Sequence, residues 1–359
     1  MASQTFALPP RGDESDGLWL LSLDGGGVRG LSTLYILRNI MARLNQTRRG
    51  MQPPLPAVKP CDVFDLIGGT STGGIIAIML GRLEMDVQPC IDTYQKLIKT
   101  LFKNKSPFSI DWRGNLKGKF SSKLLKSSID DVVADMGHSG TDPLNDKVER
   151  KCKVFVCARA VETNSTSRLR SYDLPHEPYV GVAPTITQAA MATSAAVSFF
   201  DPVQVGNRNY VDAGLGTNNP VDEVEEEACE IWCRKKRVGE LQTRTACFVS
   251  IGTGHPGNKP INDRVDKFLM KTLREIATET ETTARKSENK WAQQLENKTY
   301  FRFNVDHGLD EVGLEEFAKE GAIESVTDNH LKIRKIQIDL DSCTKALASK
   351  QCVCDMDFS

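Results

Sequence analysis

The residues able to do chemistry sit in three short stretches. Gly69-Thr70-Ser71-Thr72-Gly73 places a serine between small residues, the G-x-S-x-G pattern that lets a strand-to-helix turn lift a hydroxyl clear of the backbone. With glycine and serine each near 7% of residues, a chain this long shows that pattern by chance about 0.1 times. The apolar run Val63 to Ile67 precedes it and the helical Ile75 to Leu80 follows, which is the setting such a turn requires. Ser71 is therefore a nucleophile candidate, provided a neighbouring group can take its proton.

Two kinds of base are available. Of the five histidines, His138, His176, His255, His307 and His330, only His255 follows an apolar run, Ala246 to Ile251, where the active sites of open α/β sheets gather. The other candidate is Asp212, in Tyr210-Val211-Asp212-Ala213-Gly214, where Gly214 frees the turn after a short apolar run. A carboxylate with an unperturbed pKa near 3.9 is a weak base, so a Ser-Asp pair works only if burial raises that value or proton transfer accompanies attack.

The third stretch is Asp24-Gly25-Gly26-Gly27-Val28-Arg29-Gly30, between the apolar Leu18 to Leu23 and the helical Leu31 to Leu44. Gly25, Gly27 and Gly30 satisfy the spacing of a dinucleotide fingerprint. A nucleotide-binding unit should next supply an acidic residue at a strand end ~20 residues on, and here the interval holds the polar and basic Leu44 to Gly50. What remains is a loop whose N–H groups approach a ligand closely at the positive end of a helix, suited to a phosphate or to an oxyanion formed in acyl transfer.

These stretches need a rigid frame. Short β-like runs, Leu18 to Leu23, Val63 to Ile67, Val154 to Ala158, Tyr210 to Val211 and Ala246 to Ile251, alternate with helical patterns, which predicts a largely parallel sheet covered on both faces. After Asn219 and Pro220 a helix carries Val221, Val224, Ala228, Ile231 and Trp232 on one stripe, with acids early and Arg234 to Arg237 at its end. Asp263 to Asn297 reads as a long polar helical segment, Tyr300 to Val305 as a further strand, and Glu316 to Ser349 as closing helices. The chain of 359 residues, 40% hydrophobic and 26% charged, can bury a sizeable core, and its formal net charge of −1 argues against nucleic-acid binding driven by bulk charge.

Taken together, Asp24 to Gly30, Gly69 to Gly73, and Asp212 to Gly214 with Asn218-Asn219-Pro220 behind them resemble the patatin-like phospholipase family. The runs Ala192 to Ala196 and Ser250 to Gly254 share the resemblance, which extends from Leu18 to about Asp306. It implies a three-layer α/β/α fold with a mostly parallel central sheet, and a calcium-independent phospholipase A2-like acyl hydrolase working through a Ser71-Asp212 dyad and an acyl-enzyme. It further implies an oxyanion hole from Gly25, Gly26 and Gly27 with Arg29 nearby, and elbow and turn glycines at Gly69, Gly73 and Gly214. Position 213 holds Ala where many members have Gly. On this reading His255 is a bystander and no metal or other cofactor is required. An acyltransferase using the same dyad and a catalytically silent lipid-binding regulatory module, as in patatin domains of fungal multidomain proteins, are the alternatives. The expected organisation is a disordered tail at 1–17, the patatin-like domain at 18–347 and a tail at 348–359.

The remaining expectations concern partners and place. Nine Lys or Arg residues against the single acid Asp111 lie between Lys96 and Lys126, interleaved with Phe102, Phe108, Trp112 and Phe120, a composition that favours anionic lipid surfaces and predicts peripheral membrane contact near the site. A membrane phospholipid or other acyl lipid is the expected partner, with a larger multidomain or homo-oligomeric context open. Met1 to Gly17 holds no apolar signal core, which gives a cytoplasmic expectation, and the ten cysteines read as free thiols. Cys352 and Cys354 alone fall short of a four-ligand zinc site.

Overall fold

The computed structural model describes residues 17–103, 120–176, 182–197, 199–233, 239–255, 264–310 (backbone only for 264–274) and 312–350. Outside these lie the Phe108 and Trp112 part of the basic-aromatic segment, the Arg234 to Arg237 cluster, Cys352 and Cys354, and nearly all of both expected tails.

The strands are β1 (Leu18–Leu23), β2 (Leu66–Thr70), β3 (Lys153–Ala160), β4 (Ser165–Arg170), β5 (Val203–Val205), β6 (Arg208–Asp212), β7 (Thr245–Ile251) and β8 (Tyr300–Phe303). They form one sheet in the order β5-β6-β3-β2-β1-β7-β8, with β4 also paired to β3. From β3 through β2, β1 and β7 to β8 all pairing is parallel, whereas β4, β5 and β6 add antiparallel pairs. The central strands are apolar on both faces because both faces are covered. In β1, Trp19, Leu21 and Leu23 enter one core cluster while Leu18 and Leu20 enter the other. β7 divides in the same way, with Cys247, Val249 and Ile251 on one side and Phe248 on the other.

The larger core is closed by α1 (Gly30–Arg49), α2 (Thr72–Ala77), α3 (Val87–Lys103), α4 (Ser122–Asp135) and α5 (Ile186–Ser194), all of which contribute buried residues to it. The smaller core is closed by Val221, Val224 and Ala228 of α6 (Val221–Trp232) and by Trp291, just beyond α7 (Arg264–Lys290). The helices α8 (Glu320–Leu331) and α9 (Arg334–Ala348) return to the larger core through Ile323, Leu331, Leu340 and Leu347. The result is the mostly parallel three-layer α/β/α architecture expected.

One strand expectation is corrected. Val63 to Ile67 is not a single run: Pro60–Val63 forms a helical turn and β2 starts only at Leu66. Proline fits the first helical position, and Asp62 accepts the Lys59 backbone N–H at 2.7 Å, so this segment winds before it extends. Likewise Tyr210 to Val211 is the middle of a longer strand, and it runs antiparallel in a hairpin with β5.

The register explains why two distant stretches meet. Phe155 of β3 pairs with Arg170 on one edge and Gly68 on the other, while Ala158 pairs with Ser167 and Asp212. β2 and β6 therefore share one edge of β3 and approach each other C-terminus to C-terminus, Thr70 opposite Cys157 and Asp212 opposite Ala158. Ser71 and Asp212 fall at that junction.

Candidate active site

Ser71 leaves β2 and opens α2 with φ 54° and ψ −126°, the left-handed strain of a nucleophile elbow. The turn can be this tight only with glycine around it: a Cβ on Gly73 would lie 2.3 Å from the Leu23 carbonyl oxygen and one on Gly69 2.2 Å from the Gly73 carbonyl oxygen. The elbow is held from α5, where Thr193 Oγ1 accepts the Ser71 N–H at 2.9 Å and donates to the Cys157 carbonyl at 2.7 Å.

The Ser71 hydroxyl donates to Asp212 Oδ2 at 2.6 Å. The other carboxylate oxygen accepts the Gly214 N–H at 2.8 Å. Asp212 is 9% exposed, and burial lifts its pKa to about 6 although the bonds from Ser71 and Gly214 pull it down. The condition set for a useful Asp base, that burial raise its pKa, is met. His255 does not line the cleft; its backbone N–H donates to the Val305 carbonyl at 3.0 Å.

The glycine loop curls against the elbow, with a Cβ on Gly25 reaching within 3.0 Å of Ser71 Cβ. Its three N–H groups are not equivalent. That of Gly25 donates to the Asn218 carbonyl at 3.0 Å, and that of Gly26 makes a longer bond of 3.2 Å to the Thr72 hydroxyl. Gly27, at φ 58°, has no hydrogen-bond acceptor for its N–H among the described residues, and its carbonyl is fixed by the Tyr94 hydroxyl at 2.7 Å. Arg29 is 6% exposed and lines the same cleft; burial lowers its pKa to about 10, so it stays cationic at neutral pH.

Asp24, at the head of the loop, is gripped by Arg302 of β8 through bonds of 2.9 and 2.6 Å, and Arg302 also donates to Ser250 Oγ at 2.9 Å. Burial opposes the Arg302 charge, but the Asp24 carboxylate more than offsets it and holds the guanidinium protonated. Thr253 Oγ1 donates to the Gly25 carbonyl at 3.0 Å. Sequence reasoning missed Arg302 and Thr253 as supports of the site. The signal for the first was present: an arginine inside the aromatic strand Tyr-Phe-Arg-Phe must find a buried anion.

From Ser71 the cleft continues along an apolar wall of Ile75, Leu97, Ile98, Leu101, Phe102, Leu125, Phe199 and Phe200. Phe120 backs the far end, with ring centroids 5.1 Å from Phe102 and 5.7 Å from Phe199. A polar end with a strained hydroxyl, a buried carboxylate and converging N–H groups thus opens into a greasy channel, an arrangement fit for acyl transfer on an ester with a long apolar chain. Among the described residues, no three His, Cys, Asp or Glu side chains are grouped to hold a metal ion, and no helix is long and apolar enough to cross a membrane.

The chain is similar to known phospholipases. Calcium-independent phospholipase A2-gamma of Rattus norvegicus is 29% identical over 301 residues, covering 80% of this chain and 35% of that protein. Phospholipase A I of Arabidopsis thaliana is 26% identical over 345 residues, covering 80% of this chain and 24% of that protein. The cGAMP-activated phospholipase of Vibrio cholerae is 32% identical over 213 residues, or 56% of this chain and 55% of that protein. The chain thus spans about a third of the rat protein and about a quarter of the plant one. The family model for patatin-like phospholipase matches residues 21–224, a span that holds the glycine loop, Ser71 and Asp212, and the chain belongs to that family.

Proposed function

We propose that the chain is a metal-independent serine acyl hydrolase of phospholipase A or lysophospholipase type, cleaving acyl esters of glycerophospholipids. The observation that carries this reading is the 2.6 Å bond from the Ser71 hydroxyl to a buried Asp212, at the mouth of an apolar channel. Ser71 Oγ attacks the ester carbonyl carbon and its proton passes to Asp212 Oδ2. The carbonyl oxygen becomes an oxyanion, for which the Gly27 N–H is open and the Gly26 N–H is released from a long bond; each such donor contributes ~3 to 4 kcal/mol. The Gly25 N–H is committed to Asn218 and instead shapes the loop. Arg29 adds positive potential beside the site. Asp212 then protonates the leaving alkoxide, and a water deprotonated by the same carboxylate hydrolyses the Ser71 ester. General-base assistance of this kind is worth ~10²- to 10⁴-fold. The acyl chain occupies the channel between Ile75 and the phenylalanines, with the remainder of the lipid towards solvent or a membrane surface.

The base titrates in the working range, which gives the sign of the pH dependence. Below its pKa of about 6 Asp212 is protonated and cannot accept the serine proton. For an uncharged acyl ester, kcat/KM should rise about tenfold between pH 5 and pH 7 and then level off. A flat profile across that interval would remove Asp212 as the base. The reaction itself is tested by mass spectrometry of products from mixed phospholipid vesicles. Free fatty acid with lysophospholipid supports hydrolysis, acyl groups moved to another acceptor would replace it by transfer, and unchanged lipid would end the proposal.

A further inference from the structure

Outside the family-matched span, α7 reaches back across the site with three consecutive side chains. Glu279 Oε2 accepts the N–H of Gly216 at 2.8 Å. Thr280 Oγ1 accepts from Asn218 Nδ2 at 2.9 Å, and Glu281 Oε1 accepts from Asn304 Nδ2 at 3.3 Å. Each partner leads directly to the chemistry. Gly216, at φ 107°, lies in the irregular loop whose Gly214 N–H holds Asp212, and the same loop is pinned on its other side by Arg159 donating to the Leu215 carbonyl at 2.6 Å. Asn218 grips Gly25 twice, its carbonyl accepting the Gly25 N–H at 3.0 Å and its amide donating to the Gly25 carbonyl at 3.1 Å. Asn304 Oδ1 accepts the Gly254 N–H at 2.8 Å, and the Gly254 carbonyl faces Arg29 Nη1 at 3.4 Å.

We infer that Glu279 and Thr280 are positioning residues for the hydrolysis proposed above: α7 acts as a clasp that locks the Asp212 loop and the glycine loop at one mutual spacing. Neither residue touches the reacting atoms. Their contribution is to hold the base and the N–H donors where the transition state needs them, a requirement steep enough that displacement by ~1 Å costs on the order of 100-fold. What each must supply is a hydrogen-bond acceptor, not a charge, so the conservative partners Gln and Ser can replace them.

The test is steady-state hydrolysis of a p-nitrophenyl acyl ester by the whole chain, with thermal melts alongside. Glu279→Ala and Thr280→Val should each lower kcat about tenfold or more while KM stays within about twofold, and Glu279→Gln and Thr280→Ser should return kcat to within about twofold of the wild type. Retention of kcat by the Ala and Val variants would overturn the clasp. So would equal losses in the Gln and Ser variants, or losses that vanish once rates are scaled to the folded fraction. The inference rests on the hydrolase reading, and Ser71→Ala separates the two. A wild type no faster than Ser71→Ala removes both, whereas a fast wild type, a dead Ser71→Ala and unimpaired Glu279→Ala and Thr280→Val remove the clasp alone.

Discussion

Ser71→Ala should reduce acyl-ester hydrolysis by at least ~10⁴-fold and Asp212→Asn by ~10²- to 10⁴-fold, and the double variant should be no worse than Ser71→Ala, because groups that pass one proton between them fail as a unit. The residual rate should keep the KM of the parent, since the channel that holds the acyl chain is untouched. Fluorophosphonate labelling should be lost in both variants. Retention of more than ~1% of the parent rate in either would dismantle the dyad. Asp212→Asn carries a second signature. Burial raises the folded-state pKa to about 6 from an ordinary value near 3.8, so the folded chain binds this proton more tightly than the unfolded chain does. Stability is therefore lost as pH rises between those two values and stays lower above them. At pH 8 the neutral Asn removes a cost on the order of 2 to 3 kcal/mol, and Tm should rise; at pH 3 it should not. A variant that is catalytically dead and more stable at pH 8 distinguishes a strained base from a structural carboxylate.

Breaking the buried Arg302–Asp24 pair should have the largest effect on the fold. Both partners are nearly sealed from water, at 6% and 1% side-chain exposure. Arg302→Ala leaves a buried carboxylate at the head of the glycine loop with no cation, a change that costs ~3 to 5 kcal/mol. For a domain of this size that corresponds to a Tm lower by about 4 to 7 °C. Replacing both partners together, as Arg302→Met with Asp24→Leu, should restore much of the stability because no bare charge remains. Activity should stay low in the double variant, since the glycine loop loses its anchor at β8. Calorimetry of the two variants decides it, and a double variant no more stable than Arg302→Ala would contradict this account.

The chemistry was legible because its signals are local. A serine between glycines after an apolar run, a triple glycine before a helix, and an Asp-Ala-Gly turn each declare themselves within a few residues, and the buried β1 and largely buried β3 and β7 carry apolar runs. What stayed hidden depends on partners far away in the chain. β4, Ser-Thr-Ser-Arg-Leu-Arg, looks like a polar loop until α6 is placed beside it, where Arg168 meets Glu223 at 2.6 Å and Arg170 meets Glu227 at 2.5 Å. Val63 misled because its apolar neighbours resembled a strand while Pro60 and Asp62 dictated a turn. The polar stretch of α7 gave no sign that Glu279 and Thr280 face a backbone donor and an amide donor of the Asp212 loop rather than water.

The central position of β1 has a consequence for synthesis. β1 lies between β2 and β7, and the loop that follows it is secured by Arg302, 278 residues further on. A chain that has emerged from the ribosome only as far as the end of α6 already carries Ser71 and Asp212, but β1 has an unfilled edge and Asp24 at the head of the glycine loop lacks its Arg302 partner. Contacts so distant in sequence are formed late and slowly. The geometry that joins the glycine loop to both of its neighbouring strands and to Arg302 is therefore complete only once β7 and β8 have been made.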